Sequence, residues 1–191
     1  MNSQVVKAPQ IPTTEEVVLL NQDGRAIGNA DKYRIHTKDT PLHSAFSIFL
    51  FNREGQMLVQ QRAWSKQTWP GVWSNACCGH PAPGEPLAGA AQRRLAEELG
   101  LHGIRLQLAL PHFRYRAEHL GVVENEICPV FIGLCLTEPT PNTAEVAATD
   151  WVDWAAFIRN GPEFDDYSPW SKWEAAQLKR SGLVDRLLDR Q

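Results

Sequence analysis

The stretch GHPAPGEPLAGAAQRRLAEELGL, residues 79–101, carries a helix whose two faces differ in kind. Pro86 suits a first helical turn, where a missing N–H costs nothing. Gly100 suits the stop, because a left-handed residue closes the last turn. Between them Leu87, Ala91, Leu95 and Leu99 fall four apart, an apolar stripe that can pack on a sheet. Arg93, Arg94, Glu97 and Glu98 occupy other positions, and a solvated charged face is their plain explanation. Just upstream, NACCGHP (residues 75–81) places two cysteines side by side. Neighbouring side chains on a strand point to opposite faces. Cys78 and His80 therefore share one face across Gly79, and Cys77 takes the other.

Outward from this helix the chain alternates strand and turn signals. Residues 1–14 are polar and hold two prolines, so a flexible N-terminal tail is expected there, with one domain over residues 15–191. EEVVLLNQDGRAIG reads as a strand, a turn at Asp23-Gly24 and a returning strand. LHSAFSIFLFNREGQMLVQQR reads as a hairpin around Asn52-Arg53-Glu54-Gly55. WSKQTWPGVWSNACCGHPAPGE, rich in Trp, Pro and Gly, is expected to be loop with a short strand over 75–79. Strand-like segments follow at 104–110, 113–118 and 122–137. DWVDWAAFIRN and SPWSKWEAAQLKRSGLVDRLLDR each read as a closing helix. Strands, one central helix, more strands and then helices predict an α+β sandwich.

Composition bounds the partners. The 191 residues can bury a substantial core. A net charge of −3 argues against a nucleic-acid or anionic-membrane partner, which needs a basic surplus. Any anionic ligand must be held by a few placed Lys and Arg. The four cysteines at 77, 78, 128 and 135 lack the paired spacing of a structural zinc site and make no disulfide framework. Cys77, Cys128 and Cys135 are expected to pack in the core, and His102, His112 and His119 to lie at the surface. MNSQVVKAPQIPTTEE lacks the apolar core of a signal peptide, and no window has the roughly 20 apolar residues of a membrane span. A soluble, reduced, cytoplasmic setting is the expectation.

Gly79, Glu85, Arg93, Leu95, Glu97, Glu98, Gly100 and Leu101 resemble the Nudix box, G-x5-E-x7-R-E-U-x-E-E-x-G-U, at every fixed position but one. The resemblance implies a Nudix-type α/β/α sandwich with a mixed sheet and additional C-terminal helices. It also implies that the helix carboxylates hold a divalent cation against a diphosphate. The departure is Arg94, which stands where a Nudix hydrolase has glutamate. That change removes an acid used in hydrolysis and supplies a bidentate phosphate grip.

A second group consists of metal-type ligands: His36, His43, His80, Glu124 and Glu126. Glu124 and Glu126 are two apart and project from one face of a strand. Three imidazoles and two carboxylates suit Mn²⁺ or Mg²⁺, and Zn²⁺ is also compatible with these ligand types. The segments HTKDTPLHSAF, WPGVWSNACCGHP, FRYRA, VVENEICPVF and SPW, in that order from about residue 16 to 180, closely resemble type 1 isopentenyl-diphosphate Δ-isomerase. That resemblance implies a metal site of His36, His43, His80, Glu124 and Glu126. It implies that Cys78 and Glu126 are catalytic on opposite faces of the substrate, with Tyr115 assisting Glu126 and Trp170 facing the cationic intermediate. Glu98 would bind Mg²⁺ with the diphosphate, joined by the Cys78 carbonyl. Lys32, Arg62, Lys66 and Arg94 would hold the diphosphate. The expected ligand is thus a small allylic or homoallylic diphosphate, bound by a monomer or homodimer in isoprenoid precursor synthesis. The competing expectations are a Nudix hydrolase of a diphosphate compound and a metal-stabilised binding module without catalysis.

Overall fold

The computed structural model describes residues 15–160 and 166–189; the expected tail, residues 1–14, lies outside them. Its centre is β4 (Phe46–Phe51), FSIFLF, buried at every position. A strand covered on both faces reads as a continuous apolar run. Beside it run β5 (Gln56–Arg62), β8 (Leu106–Leu110), β11 (Val130–Leu134) and β12 (Val146–Asp153), in the spatial order β12-β5-β4-β11-β8. β4 and β11 are parallel and the other pairs antiparallel, so the sheet is mixed. After meeting at Phe51 and Met57, β4 and β5 separate. The fork is filled by β6 (Trp73–Asn75), which pairs with β5, and β7 (Cys77–Gly79), which pairs with β4.

Helices cover both faces, as the resemblance implies. The stripe of α2 (Leu87–Leu99) lies on one side, with Ala91, Leu95 and Leu99 against Ile48, Leu50 and Leu58. Truncating fully buried Leu95 to alanine should cost about 2–5 kcal/mol. Opposite, Phe49, Phe51, Met57 and Val59 meet α3 (Trp154–Asn160), α4 (Pro169–Ser181) and α5 (Leu183–Leu188). Gly100, at φ 64°, caps α2 as expected.

A second sheet contains β1 (Glu16–Leu20), β2 (Ala26–Asp31), β3 (His43–Ser44), β9 (Arg114–His119) and β10 (Val122–Ile127), in the order β2-β1-β3-β10-β9. The strand expected over 122–137 is in fact two, β10 and β11, one in each sheet. Pro129 has no N–H to donate, and the chain changes sheet at Cys128-Pro129. The helix expected from residue 150 begins only at Trp154. Residues 146–153 are strand instead, paired with β5 from Val146↔Arg62 to Asp153↔Gln56. The last expected helix is likewise two, broken at Gly182, which has φ 62°. A single turn, α1 (Lys32–Ile35), was not expected; Asp31 caps it through Tyr33 N–H.

Candidate active site

Strand register assembles the site. In β10, Glu126 lies opposite His43 of β3 on one side and Tyr115 of β9 on the other. Alternation puts Glu124 on the same face, and both carboxylates line a cavity of about 340 Å³. In the larger sheet, β7 separates its cysteines as the alternation requires. Cys77 is buried among the α2 residues, while Cys78 packs with Trp69, Tyr115 and Trp170 and lines the cavity. Gly79 is wedged between β4 and α2 so tightly that a Cβ would stand 2.9 Å from Phe46 and 3.0 Å from Arg94. This close approach accounts for the glycine that opens the box.

His36, His43, His80 and Glu124 come from four separate segments, yet each offers a ligand atom within 4.8 Å of the others. His36 Nε2 stands 3.1 Å from Glu124 Oε2, and His43 Nε2 stands 3.2 Å from His80 Nε2. Glu126 Oε1 adds a fifth donor, 3.1 Å from His80 Nε2 and 3.4 Å from His43 Nε2. Backbone carbonyls fix the imidazoles: His36 Nδ1 donates to Lys32 O at 2.8 Å, and His43 Nδ1 to Pro41 O at 2.9 Å. Such bonds turn the Nε2 lone pairs towards a metal. His36 Nε2 and Glu124 Oε2 are buried and lack hydrogen-bond partners among the described residues, whereas buried polar atoms are ordinarily satisfied. A nitrogen and oxygen set in this state fits a divalent cation.

The mouth of the cavity is basic. Lys32, Arg62, Lys66 and Arg94 all line it. The turn of α1 brings Lys32 one helical step from His36. Arg94 donates to Glu98 Oε1 from Nη2 at 2.5 Å and from Nε at 3.0 Å. Glu98 Oε2 accepts from Gln60 at 3.2 Å, and each carboxylate oxygen keeps further acceptor capacity. Lys32 pairs with Glu15, and Lys66 with Glu145. Arg62 spends Nε and Nη2 on Thr68 and Trp69, holding the loop that walls the mouth. Arg93 turns outward to grip Glu85 with two 2.8 Å bonds. Glu145 was not singled out from the sequence. It sits 51 residues beyond Arg94, to which it bonds at 3.3 Å, and no local spacing could have revealed it.

The floor is aromatic. Tyr115 stacks on Trp170 with ring centroids 5.5 Å apart, and Trp170 donates its indole N–H to Ser74 Oγ at 3.1 Å. His119, expected at the surface, stacks on Trp69 at 4.6 Å instead. Burial and the nearby Glu174 push the Cys78 thiol up to about 12, against its hydrogen bonds with Ser47 and Asn75. Burial works against an ionised Glu126, but hydrogen bonds and charge from His43 and His80 hold its carboxyl well below the usual range. Burial also lowers His80 to about 4 despite Glu126. Tyr115 is raised well above an ordinary phenol by burial and by Glu126 and Glu124. The floor therefore sets a neutral thiol and a neutral phenol beside an ionised carboxylate. Cys128 and Cys135 are buried packing residues, as expected.

The NUDIX domain family matches residues 41–174. A protein from Saccharopolyspora erythraea named isopentenyl-diphosphate Delta-isomerase is 55% identical over 172 residues, covering 88% of each chain. The chain belongs to the isopentenyl-diphosphate Delta-isomerase family. A second isomerase of that name, from Mycolicibacterium vanbaalenii, is 48% identical over 180 residues, covering 93% of this chain and 99% of its own. The fold is shared more widely. A Deinococcus radiodurans crystal structure superposes with a TM-score of 0.64 at 16% identity, covering 91% of this chain and 99% of that one. The MutT protein of Methanosarcina mazei gives 0.63 at 18%, covering 75% and 97%. Within this isomerase family member, Arg94 in the box is matched by the basic mouth around it. No helix among the described residues is long and apolar enough to cross a membrane.

Proposed function

We propose that this chain interconverts isopentenyl diphosphate and dimethylallyl diphosphate by moving protons at two carbons of the alkene. The observation that carries the reading is one cavity with a basic mouth and an aromatic floor, lined by both Cys78 and Glu126. The diphosphate is held at Lys32, Arg62, Lys66 and Arg94, which leaves the five-carbon chain over the floor. Proton addition at the terminal alkene carbon gives a tertiary cation, and proton loss from the allylic carbon completes the shift. An acid and a base on opposite sides of the substrate supply both transfers. The thiol of Cys78 carries a proton and the carboxylate of Glu126 does not; one turnover exchanges those states, and proton exchange with solvent after product release resets them for the next. Trp170 and Tyr115 present aromatic faces to the cation, an interaction of about 2 kcal/mol when desolvated. Exclusion of water protects the cation from capture.

His36, His43, His80, Glu124 and Glu126 would hold one divalent metal, Mn²⁺ or Mg²⁺, with Zn²⁺ also compatible with the ligands. Glu98 and the Cys78 carbonyl would hold Mg²⁺ with the diphosphate. Such ions supply positive charge that neutralises phosphate oxygens and keeps a bound carboxyl acidic. The deciding experiment is incubation with isopentenyl diphosphate and Mg²⁺ in D₂O. Dimethylallyl diphosphate carrying deuterium, with no free phosphate, is the expected product. Phosphate release would make the chain a hydrolase, and absence of any turnover would leave a binding module.

A further inference from the structure

Behind the floor lies a carboxyl group for which the chemistry above has no use. Glu174 of α4 is fully buried, in the layer that packs on the far face of the larger sheet. Its Oε2 has no hydrogen-bond partner among the described residues. Its other contacts lead towards Cys78. Cys128 Sγ points at Oε1 from 3.9 Å. Ser47 is the register partner of Cys78 in the β4–β7 ladder, and its Oγ lies 3.4 Å from Cys78 Sγ and 3.5 Å from Cys128 Sγ. On its other side the thiol donates to Asn75 Oδ1 at 3.4 Å. The sulfur is thus held between Asn75 and Ser47, and Ser47 reaches Glu174 by way of Cys128.

An apolar residue at 174 would fill the same space without burying a polar oxygen, which is costly when unpaired. Packing therefore does not explain the carboxyl. The sulfurs do: the Ser47 hydroxyl faces both of them, and an acceptor at position 174 draws the Cys128 thiol proton away from Ser47, which selects one orientation of that hydroxyl. We propose that Glu174, acting through Cys128 and Ser47, is a positioning residue that fixes the Cys78 sulfur against the substrate. The inference rests on the isomerase reading. Burial holds the Glu174 carboxyl protonated, well above its ordinary range, so a neutral amide can replace it.

The test compares E174L, E174Q and S47A with the wild type. E174L should lower kcat about tenfold to a hundredfold, as a misplaced reacting group does, with KM within about twofold. Its Tm should equal or exceed that of the wild type, since a buried carboxyl has been exchanged for an apolar side chain. E174Q should recover kcat to within about threefold, the worth of one hydrogen bond. S47A should resemble E174L, and the double variant should be no worse than S47A alone, because the two act as one unit. E174M is read in the same way should E174L fail to fold. A near-normal kcat in E174L, losses that multiply in the double variant, or a fall in kcat matched by E174Q would each overturn the inference. Iodoacetamide labelling of Cys78, read by mass spectrometry, separates this from failure of the isomerase reading. If wild type does not turn over isopentenyl diphosphate, a labelling rate altered in E174L and normal in E174Q still supports the positioning role, and equal rates overturn it.

Discussion

The two ends of the cavity work by opposite means. At the mouth, Lys32, Lys66 and Arg94 are each paired with a carboxylate, Glu15, Glu145 and Glu98. Charges there are compensated, partly wet and supported by long side chains. At the floor, Cys78, Tyr115 and Trp170 carry no ion pair among the described residues and sit on strands and a helix end. The mouth can recognise a phosphate through charge and tolerate small displacements. In the proposed reaction the floor must place a sulfur and a carboxyl on either side of one small hydrocarbon. The contrast teaches that changes at the mouth should appear in substrate capture, and changes at the floor in turnover.

The largest effects belong to the floor. Cys78→Ala and Glu126→Gln should each lower kcat by about 10²–10⁴-fold, the usual worth of general acid or base catalysis, while circular dichroism and Tm stay close to wild type. A Glu126→Gln variant of near-normal rate would break the contrast. Removal of metal should strike both ends at once. A chelator should abolish turnover, and Mn²⁺ or Mg²⁺ should restore it. A metal present at a hundred times its Kd contributes about 2.7 kcal/mol of stability, so Tm should fall as well.

At the mouth, Lys66→Ala should raise KM about tenfold to a hundredfold, the range of a charge-assisted hydrogen bond, with a smaller change in kcat. Burial and the neighbouring Arg62 lower the Lys66 ammonium, against Glu145. Lys66 therefore loses its charge at a pH below the ordinary lysine range, and kcat/KM should fall as pH rises through that region. Lys66→Arg should move the fall to higher pH. The smallest effect should come from Cys77→Ala. This buried residue packs beneath α2 rather than in the cavity, so stability should drop by about 1 kcal/mol and kcat should hardly change. The adjacent cysteines then become an internal control for the division between scaffold and floor.

Local spacing made much of this legible. Alternation alone separated Cys77 from Cys78 and aligned Glu124 with Glu126, and the stripe of α2 gave its buried face. What stayed hidden depends on which strands meet. Glu145 reaches Arg94 only because β12 lies beside β5, and DWVDWAAFIRN reads as helix from residue 150 because Trp151 and Trp154, three apart, share a helical face. Ser47 reads as one polar residue in an apolar strand until the ladder sets it opposite Cys78. The turn of α1 has only four residues, too few for any periodicity to show.

The crossing at Cys128-Pro129 has a broader consequence. β3 and β10 run parallel in one sheet, β4 and β11 run parallel in the other, and the chains stay bonded through the passage by Ala45 N–H to Ile127 O at 3.0 Å and Ser47 N–H to Pro129 O at 3.1 Å. They form a single bent two-stranded ribbon, with Cys78 attached beyond the bend and Glu126 before it. The span available to a five-carbon chain is therefore set by the angle of that bend. An engineer seeking to admit a bulkier alkene has a lever at Ala45 and Cys128, without touching any group that meets the substrate.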